Sequence, residues 1–233
     1  APSQGRALIT TRHPWLMVVR ALLLCALTLF AQLAFRVLPL AETTAIVFIT
    51  PLLVALLAGP MLGETVTKKS WLATLAGFAG VMLITRPGSN LDPTGVACAL
   101  AGAVCYALYQ ILTRRLAASE TPLRQLFYTA LIGTLAMSLV LPGVWPATLP
   151  TPFELLLLVG LGLCGGIGHF LLIRALRETP ASLLAPLLYV QLVWAALLGW
   201  WVFGDVPDAW TALGMGIIGA SGLSLVLGRR KTV

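Results

Sequence analysis

The sequence predicts an all-α polytopic membrane protein of eight transmembrane helices. Three observations lead there. Hydrophobic residues make up 59% of the chain and charged residues 10%, against the roughly 25% charged of an ordinary soluble domain. The apolar residues fall in runs close to the ~20 that a membrane helix needs, and the short alternating strands of a membrane barrel are not seen. Finally, one stretch occurs twice. AFRVLPLAETTAIVFITPLLVALLAGPMLGE, from Ala34 to Glu64, returns at a shift of 141 residues, so that Ala34, Arg36 and Pro39 fall on Ala175, Arg177 and Pro180, and Gly63 and Glu64 on Gly204 and Asp205. No gap is needed, and repeated hydrophobic spans are a mark of membrane transporters.

In chain order, a polar N-terminal segment, residues 1–14, precedes a first span from Trp15 to Leu38. Arg20 lies near the start of that span, close enough to the interface to snorkel. Pro39 opens the second span, Leu40 to Leu62, and Pro51 at its middle removes a backbone donor and should kink it. The third, Trp71 to Thr85, is short. Then come Pro93 to Thr113, Leu123 to Leu141, Phe153 to Leu176, Ala181 to Phe203 and Ala209 to Gly228, followed by a basic tail at residues 229–233. Cys25, Cys98, Cys105 and Cys164 all sit inside apolar spans without metal-like spacing and read as small packing residues.

The basic residues orient these spans. With the tail in the cytoplasm and eight alternating spans, Arg6, Arg12, Lys68, Lys69, Arg114, Arg115, Arg124, Arg174, Arg177 and the three tail residues fall inside; only Arg36 and Arg86 fall outside. Both ends are therefore expected in the cytoplasm of a bacterium, with the protein in its inner membrane. The formal charge of +7 then reads as topology and contact with anionic lipid headgroups rather than nucleic-acid binding. The first two spans enter from the inside and outside, whereas their repeat-mates, the sixth and seventh, enter from the outside and inside. The repeats are thus inverted, about a pseudo-two-fold axis in the membrane plane. GFAGV of the third span resembles GIIGASG of the eighth, which leaves the fourth and fifth without partners. The first repeat, residues 15–88, holds three helices and the second, residues 92–228, holds five.

LPLAETTA, TPLLVALLAGPMLGE and WLATLAGFAGVMLITRPG resemble the end of the first repeat of EamA-type proteins in the drug/metabolite transporter superfamily. The second half, from DPTGVACALAGAVCYALYQILTRRLA through ALRETPASLLAPLLYVQLVWAALLGWWVFGDVPDAWTALG, resembles a complete second repeat. The resemblance implies ten helices in two inverted five-helix repeats around a central substrate cavity. The eight spans here would be the third to tenth, three plus five of a five plus five bundle. The QGRALITTRHP opening resembles the cytoplasmic loop between the family's second and third helices, which favours a chain truncated ahead of Ala1 over a shorter variant.

Polar groups deep in a membrane are costly and direct attention to function. Gln191 and Trp194, three apart near the centre of the seventh span, share a face, and Tyr189 points about 200° away. Each reads as cavity lining or as interhelical packing. Tyr106, Tyr109 and Gln110 form an i, i+3, i+4 stripe that lines an inward-open cavity or belongs to an interfacial belt. Thr50, beside Pro51, marks a hinge or a packing point, and Gln32 is a further cavity candidate. His169 follows a glycine run; it suits proton coupling, or it is bonded to a carbonyl while Gly162 and Gly166 form a packing face. Glu42 lies in the first turn of the second span, where the helix dipole favours it, with cation or proton coupling as the other role. Glu64 and Asp205 follow glycines at helix exits and read as turn and capping residues. Gly214, Gly216, Gly219 and Gly222, with Gly77 and Gly80, permit close packing or a homodimer seam.

The expected function is secondary active transport of small metabolites or amino-acid-like compounds by alternating access, with a small-molecule substrate, membrane lipids and no cofactor. The sequence lacks a GxxxxGK[ST] loop, which argues against drive by ATP. Two other readings stand beside it. An integral membrane enzyme acting on lipid-linked substrates would need clustered acids, histidines or metal ligands, whereas the two histidines and eight acids here form no convincing pair. A non-transporting partner subunit would draw its missing helices from another chain.

Overall fold

A computed structural model of the chain describes residues 9–88, 91–144, 150–204 and 206–229. Its helices are α1 (Pro14–Phe35), α2 (Leu40–Val47), α3 (Thr50–Leu62), α4 (Lys68–Thr85), α5 (Pro93–Leu116), α6 (Pro122–Val144), α7 (Pro152–Glu178), α8 (Ala181–Leu184), α9 (Val190–Phe203) and α10 (Ala209–Arg229), with a 3-10 turn, Ala185–Tyr189, between α8 and α9. No strand occurs among the described residues. Six stretches are long and apolar enough to cross a membrane: Pro14–Phe35, Glu42–Leu62, Pro93–Leu116, Pro122–Gly143, Pro152–Glu178 and Ala181–Val202. The protein is therefore a multi-pass membrane protein. Residues 1–8 of the N-terminal segment, Asp205 and residues 230–233 of the tail lie outside the described residues.

Local chemistry sets the ends. α1 stops at Phe35, short of Leu38, because the chain turns there: the Val37 and Leu38 amides both donate to the Ala34 carbonyl, at 3.1 and 2.8 Å. α4 starts three residues ahead of Trp71, since the Thr67 hydroxyl accepts from the Ser70 amide and caps it. The second and seventh spans are not continuous helices. Each is broken in its middle, between α2 and α3 and across the 3-10 turn.

The chain forms two compact units, Ala1–Cys25 with Leu112–Thr179, and Ala26–Ile111 with Pro180–Val233. The second draws on both sequence repeats. Its core is the crossing of α4 with α10, where a Cβ on Gly80 would lie 2.8 Å from the Gly214 carbonyl oxygen, and a Cβ on Gly214 would lie 2.7 Å from that of Gly80. Gly77 accommodates the Tyr189 ring and Gly222 lies against Leu187. Four of the six glycines weighed for a homodimer seam are thus in contact within the chain, while Gly216 and Gly219 face open space.

In the first unit, Glu120 accepts from the Thr11 hydroxyl, the Arg12 amide and the Arg124 guanidinium. Burial alone would raise its pKa, but these three donors together hold it below the usual carboxylate range. Arg114 donates to the Leu176 and Arg177 carbonyls at 2.9 and 3.0 Å and closes the C-terminal end of α7. Arg20 does not snorkel. It is 1% exposed, and its guanidinium donates to the Gln125 carbonyl at 2.8 Å and to the Thr129 hydroxyl at 3.0 Å. These inward acceptors from α6 satisfy the charge more closely than the interface would.

Candidate functional site

The site lies in the second unit, where the two helix breaks meet. Pro51 lacks the amide that would bond the Val47 carbonyl. The neighbouring Thr50 hydroxyl takes that carbonyl instead at 2.7 Å, and lies 3.3 Å from the Ala103 carbonyl of α5. α2 consequently ends at Val47 and α3 begins at Thr50, with Phe48 and Ile49 in the turn between. The other break covers Ala185–Tyr189, which the 141-residue shift places on Thr44–Phe48, so the two breaks coincide only at Phe48 and Tyr189; it contains a proline, Pro186, whose repeat-mate is Ala45. In the register of the repeat, Val47, Phe48 and Thr50 correspond to Leu188, Tyr189 and Gln191.

These repeat-mates come together in space. The Phe48 and Tyr189 rings lie 5.9 Å apart at 36°. Beside them Val47, Phe48, Thr50, Pro51, Tyr106, Leu188 and Gln191 line a pocket of about 30 Å³. None of these seven residues is charged. Aromatic faces from Phe48 and Tyr106 supply stacking area and Gln191 an amide with both donor and acceptor. The volume lies below the roughly 300–1,000 Å³ of ordinary ligand pockets.

Glu64 holds one of the broken spans in place. Its carboxylate accepts from the Ala181 amide, the Ser182 amide and the Ser182 hydroxyl, each at 3.1 Å. It therefore caps the entry of the seventh span rather than its own helix exit, as the sequence suggested. The exit of α3 is closed by Gly63, which turns the chain at a φ of +68°.

Of the residues singled out in the sequence, the structure brings Thr50, Tyr106 and Gln191 to the pocket wall. Tyr109 is fully buried and stacks on Tyr106 at 6.0 Å and 18°. Gln110 is also buried, and its Nε2 has no partner among the described residues. Tyr189 is buried against Gly77 and Phe48, its hydroxyl likewise unpartnered. Trp194 and Gln32 are exposed and do not line the pocket. Trp194 shares the helical face of Gln191 but sits about 4.5 Å farther along α9, past the level of the break. His169 is half-buried on α7, in the first unit. Glu42 stays in the first turn of α2 and accepts from the Gly88 amide at 3.2 Å. Sequence reasoning missed Val47, Phe48 and Leu188. The repeat itself carried the signal, since the 141-residue shift pairs Phe48 with Tyr189.

Residues 3–86 and 93–227 match the EamA-like transporter family. An S-adenosylmethionine uptake transporter of Rickettsia bellii is 28% identical over 230 residues, 98% of this chain and 78% of that protein. A riboflavin transporter of Vibrio cholerae is 30% identical over 216 residues, covering 91% of this chain and 71% of the relative. A solved crystal structure superposes with a TM-score of 0.85 over 99% of this chain and 82% of its own, at 22% identity, a likeness of fold.

Proposed function

Because the chain belongs to the EamA-like transporter family, we propose that it moves a small metabolite across the bacterial inner membrane by secondary active transport. The family and the named relatives are transporters and not enzymes, which sets aside the membrane-enzyme reading. The observation that carries the rest is the meeting of repeat-mates at two helix breaks around one uncharged pocket. Helices broken near their middle, from two repeats, are where transporters of this general kind bind their cargo.

The substrate class is a small metabolite bearing a flat nitrogen heterocycle. Phe48 and Tyr106 present faces for such a ring, and the Gln191 amide reads its polar edge. S-adenosylmethionine and riboflavin, named for the two relatives, both carry rings of this kind. A pocket of about 30 Å³ is too small for either molecule, so binding requires the walls to part. Alternating access supplies that movement, with the eight spans arranged as inverted repeats and both ends in the cytoplasm. Proton or cation coupling falls to His169 or Glu42.

Uptake of labelled S-adenosylmethionine and riboflavin into proteoliposomes tests the reading. Gln191→Ala should lower uptake about tenfold, the loss of one ligand hydrogen bond, with unchanged folded yield. Wild-type uptake by Gln191→Ala would remove this pocket from the transport path.

A further inference from the structure

Tyr189 closes the 3-10 turn and is fully buried, its hydroxyl without a partner among the described residues. At 0% exposed, it is out of reach of any helix added from outside the chain. A buried hydroxyl that bonds nothing costs folding free energy. Its repeat-mate shows that the fold does not require it: Phe48 packs in the same cluster, with Val81 and Ile218, and carries no hydroxyl. The ring does have a fitted seat, since a Cβ on Gly77 would overlap it. In this conformation it is the hydroxyl alone that has no use. The turn that carries it can change its direction. Ala185–Tyr189 are wound as 3-10 helix, about 120° per residue, between the α-helical α8 and α9 at about 100°. Counted from Leu184, the last residue of α8, Leu188 stands at about 120° and Tyr189 at about 240°. Rewound as α-helix, Tyr189 would stand at about 140°. That is within about 20° of the direction now held by Leu188, which lines the pocket. α8 is the fixed end of this rotation, because Glu64 accepts from the Ala181 and Ser182 amides. Pro186 has no amide to donate in either winding, so its position loses no bond in the change.

We propose that the turn rewinds as α-helix when substrate enters, and that the Tyr189 hydroxyl then takes the place of the Leu188 side chain in the pocket wall and hydrogen-bonds the substrate. This role rests on the transport reading and adds to it a group that selects the substrate. A phenol donates one hydrogen bond and accepts others, so it suits a heterocycle with a ring nitrogen or carbonyl at its edge. With Gln191, the wall then presents two neutral hydrogen-bonding groups beside the faces of Phe48 and Tyr106. A flat ring without polar atoms would leave the hydroxyl unpartnered again and is disfavoured for that reason. Rewinding five residues from about 2.0 to about 1.5 Å of rise also draws α9 toward α8 by about 2.5 Å. A pocket of about 30 Å³ needs movement of that kind to admit a ligand.

Tyr189→Phe removes the hydroxyl, leaves the ring and tests the proposal. In thermal unfolding in detergent the variant should melt at or above the wild-type temperature, because a buried unpartnered group is gone. In proteoliposomes its KM for S-adenosylmethionine or riboflavin should rise about fivefold at unchanged Vmax, the loss of one neutral hydrogen bond to bound substrate. Protein labelled with fluorotyrosine carries a fluorine NMR signal for each of its four tyrosines. The signal missing from Tyr189→Phe should shift when the transported compound is added to the wild type. A lower melting temperature overturns the proposal, since the hydroxyl would then hold the fold. So does a KM equal to that of the wild type, or a Tyr189 signal that substrate leaves in place. A wild type that carries neither compound overturns the transport reading and this role together, whereas an unchanged KM in the variant of a working transporter removes Tyr189 alone.

Discussion

Two glycine-rich regions of the chain look alike in sequence and differ in structure. Where α4 crosses α10, a Cβ on Gly80 or Gly214 would run into the other's backbone. On α7, Gly160, Gly162, Gly165, Gly166 and Gly168 meet no atom of the chain within 4 Å. A glycine in a membrane helix thus announces a close approach without naming what approaches. In the second unit it is protein backbone and the Tyr189 ring. On α7 the surface is left to something outside the described chain.

The largest expected effect lies at the crossing. Gly80→Leu places its Cβ 2.8 Å from the Gly214 carbonyl oxygen and 2.8 Å from Ile218. The first is backbone and cannot rotate away, so the helices must separate. A loss of at least ~3 kcal/mol is expected, at the upper end for overpacking, and thermal unfolding in detergent would read it. If the variant melts like wild type, the crossing does not exist as described and the contrast with α7 collapses.

Next comes the carboxylate that ties the broken seventh span to the end of α3. Glu64→Ala leaves two amides and one hydroxyl at Ala181 and Ser182 without their acceptor. The expected cost is about 1–2 kcal/mol, as for loss of a helix cap. Glu64→Gln, which keeps one acceptor oxygen, should cost less. The corresponding change at Glu154, an exposed capping-box residue at the N-terminus of α7, should cost less than that at Glu64, because water can replace the bonds its carboxylate accepts from the Thr151 amide and hydroxyl.

Much of the fold was legible because it follows from composition and period. Apolar length located the spans, and Pro51 marked the second as bent, whereas the break in the seventh was not read from the sequence. Thr50, Tyr106 and Gln191 were legible as polar groups at depth. Phe48 was not, because an apolar aromatic in an apolar span carries no compositional mark. Trp194 was weighed equally with Gln191 because helical rotation specifies a face and not a level along the axis. Glu64 was legible as a cap, but its partners lie 117 and 118 residues away, and local pattern cannot specify so distant a contact.

Acid separates the two regions more gently. Asp208 accepts from the Thr211 amide, is bonded by the Thr211 side chain and pairs with Arg86 at 2.7 Å. These donors hold its pKa at about 2, below the ordinary 3.8. A carboxylate depressed in the folded state stabilises it above the unfolded pKa and loses that contribution as pH falls through the folded one. Stability should therefore decline between about pH 4 and pH 2, and Asp208→Asn should flatten that part of the profile. An unchanged acid limb in the variant would show that the ion pair does not anchor the second unit.

The smallest effect is expected at α7 and is the most informative about it. Gly166→Ala adds one methyl group where nothing stands within 4 Å. No neighbour is displaced, and alanine is the better helix former by up to ~1 kcal/mol. The melting temperature should hold or rise slightly. A marked fall would mean that a surface open within the chain is closed in the working protein by a neighbour packed directly on Gly166. Because Gly80→Leu must disrupt its crossing in either case, the pair of variants separates a glycine that accommodates this chain's own backbone from one that accommodates a partner.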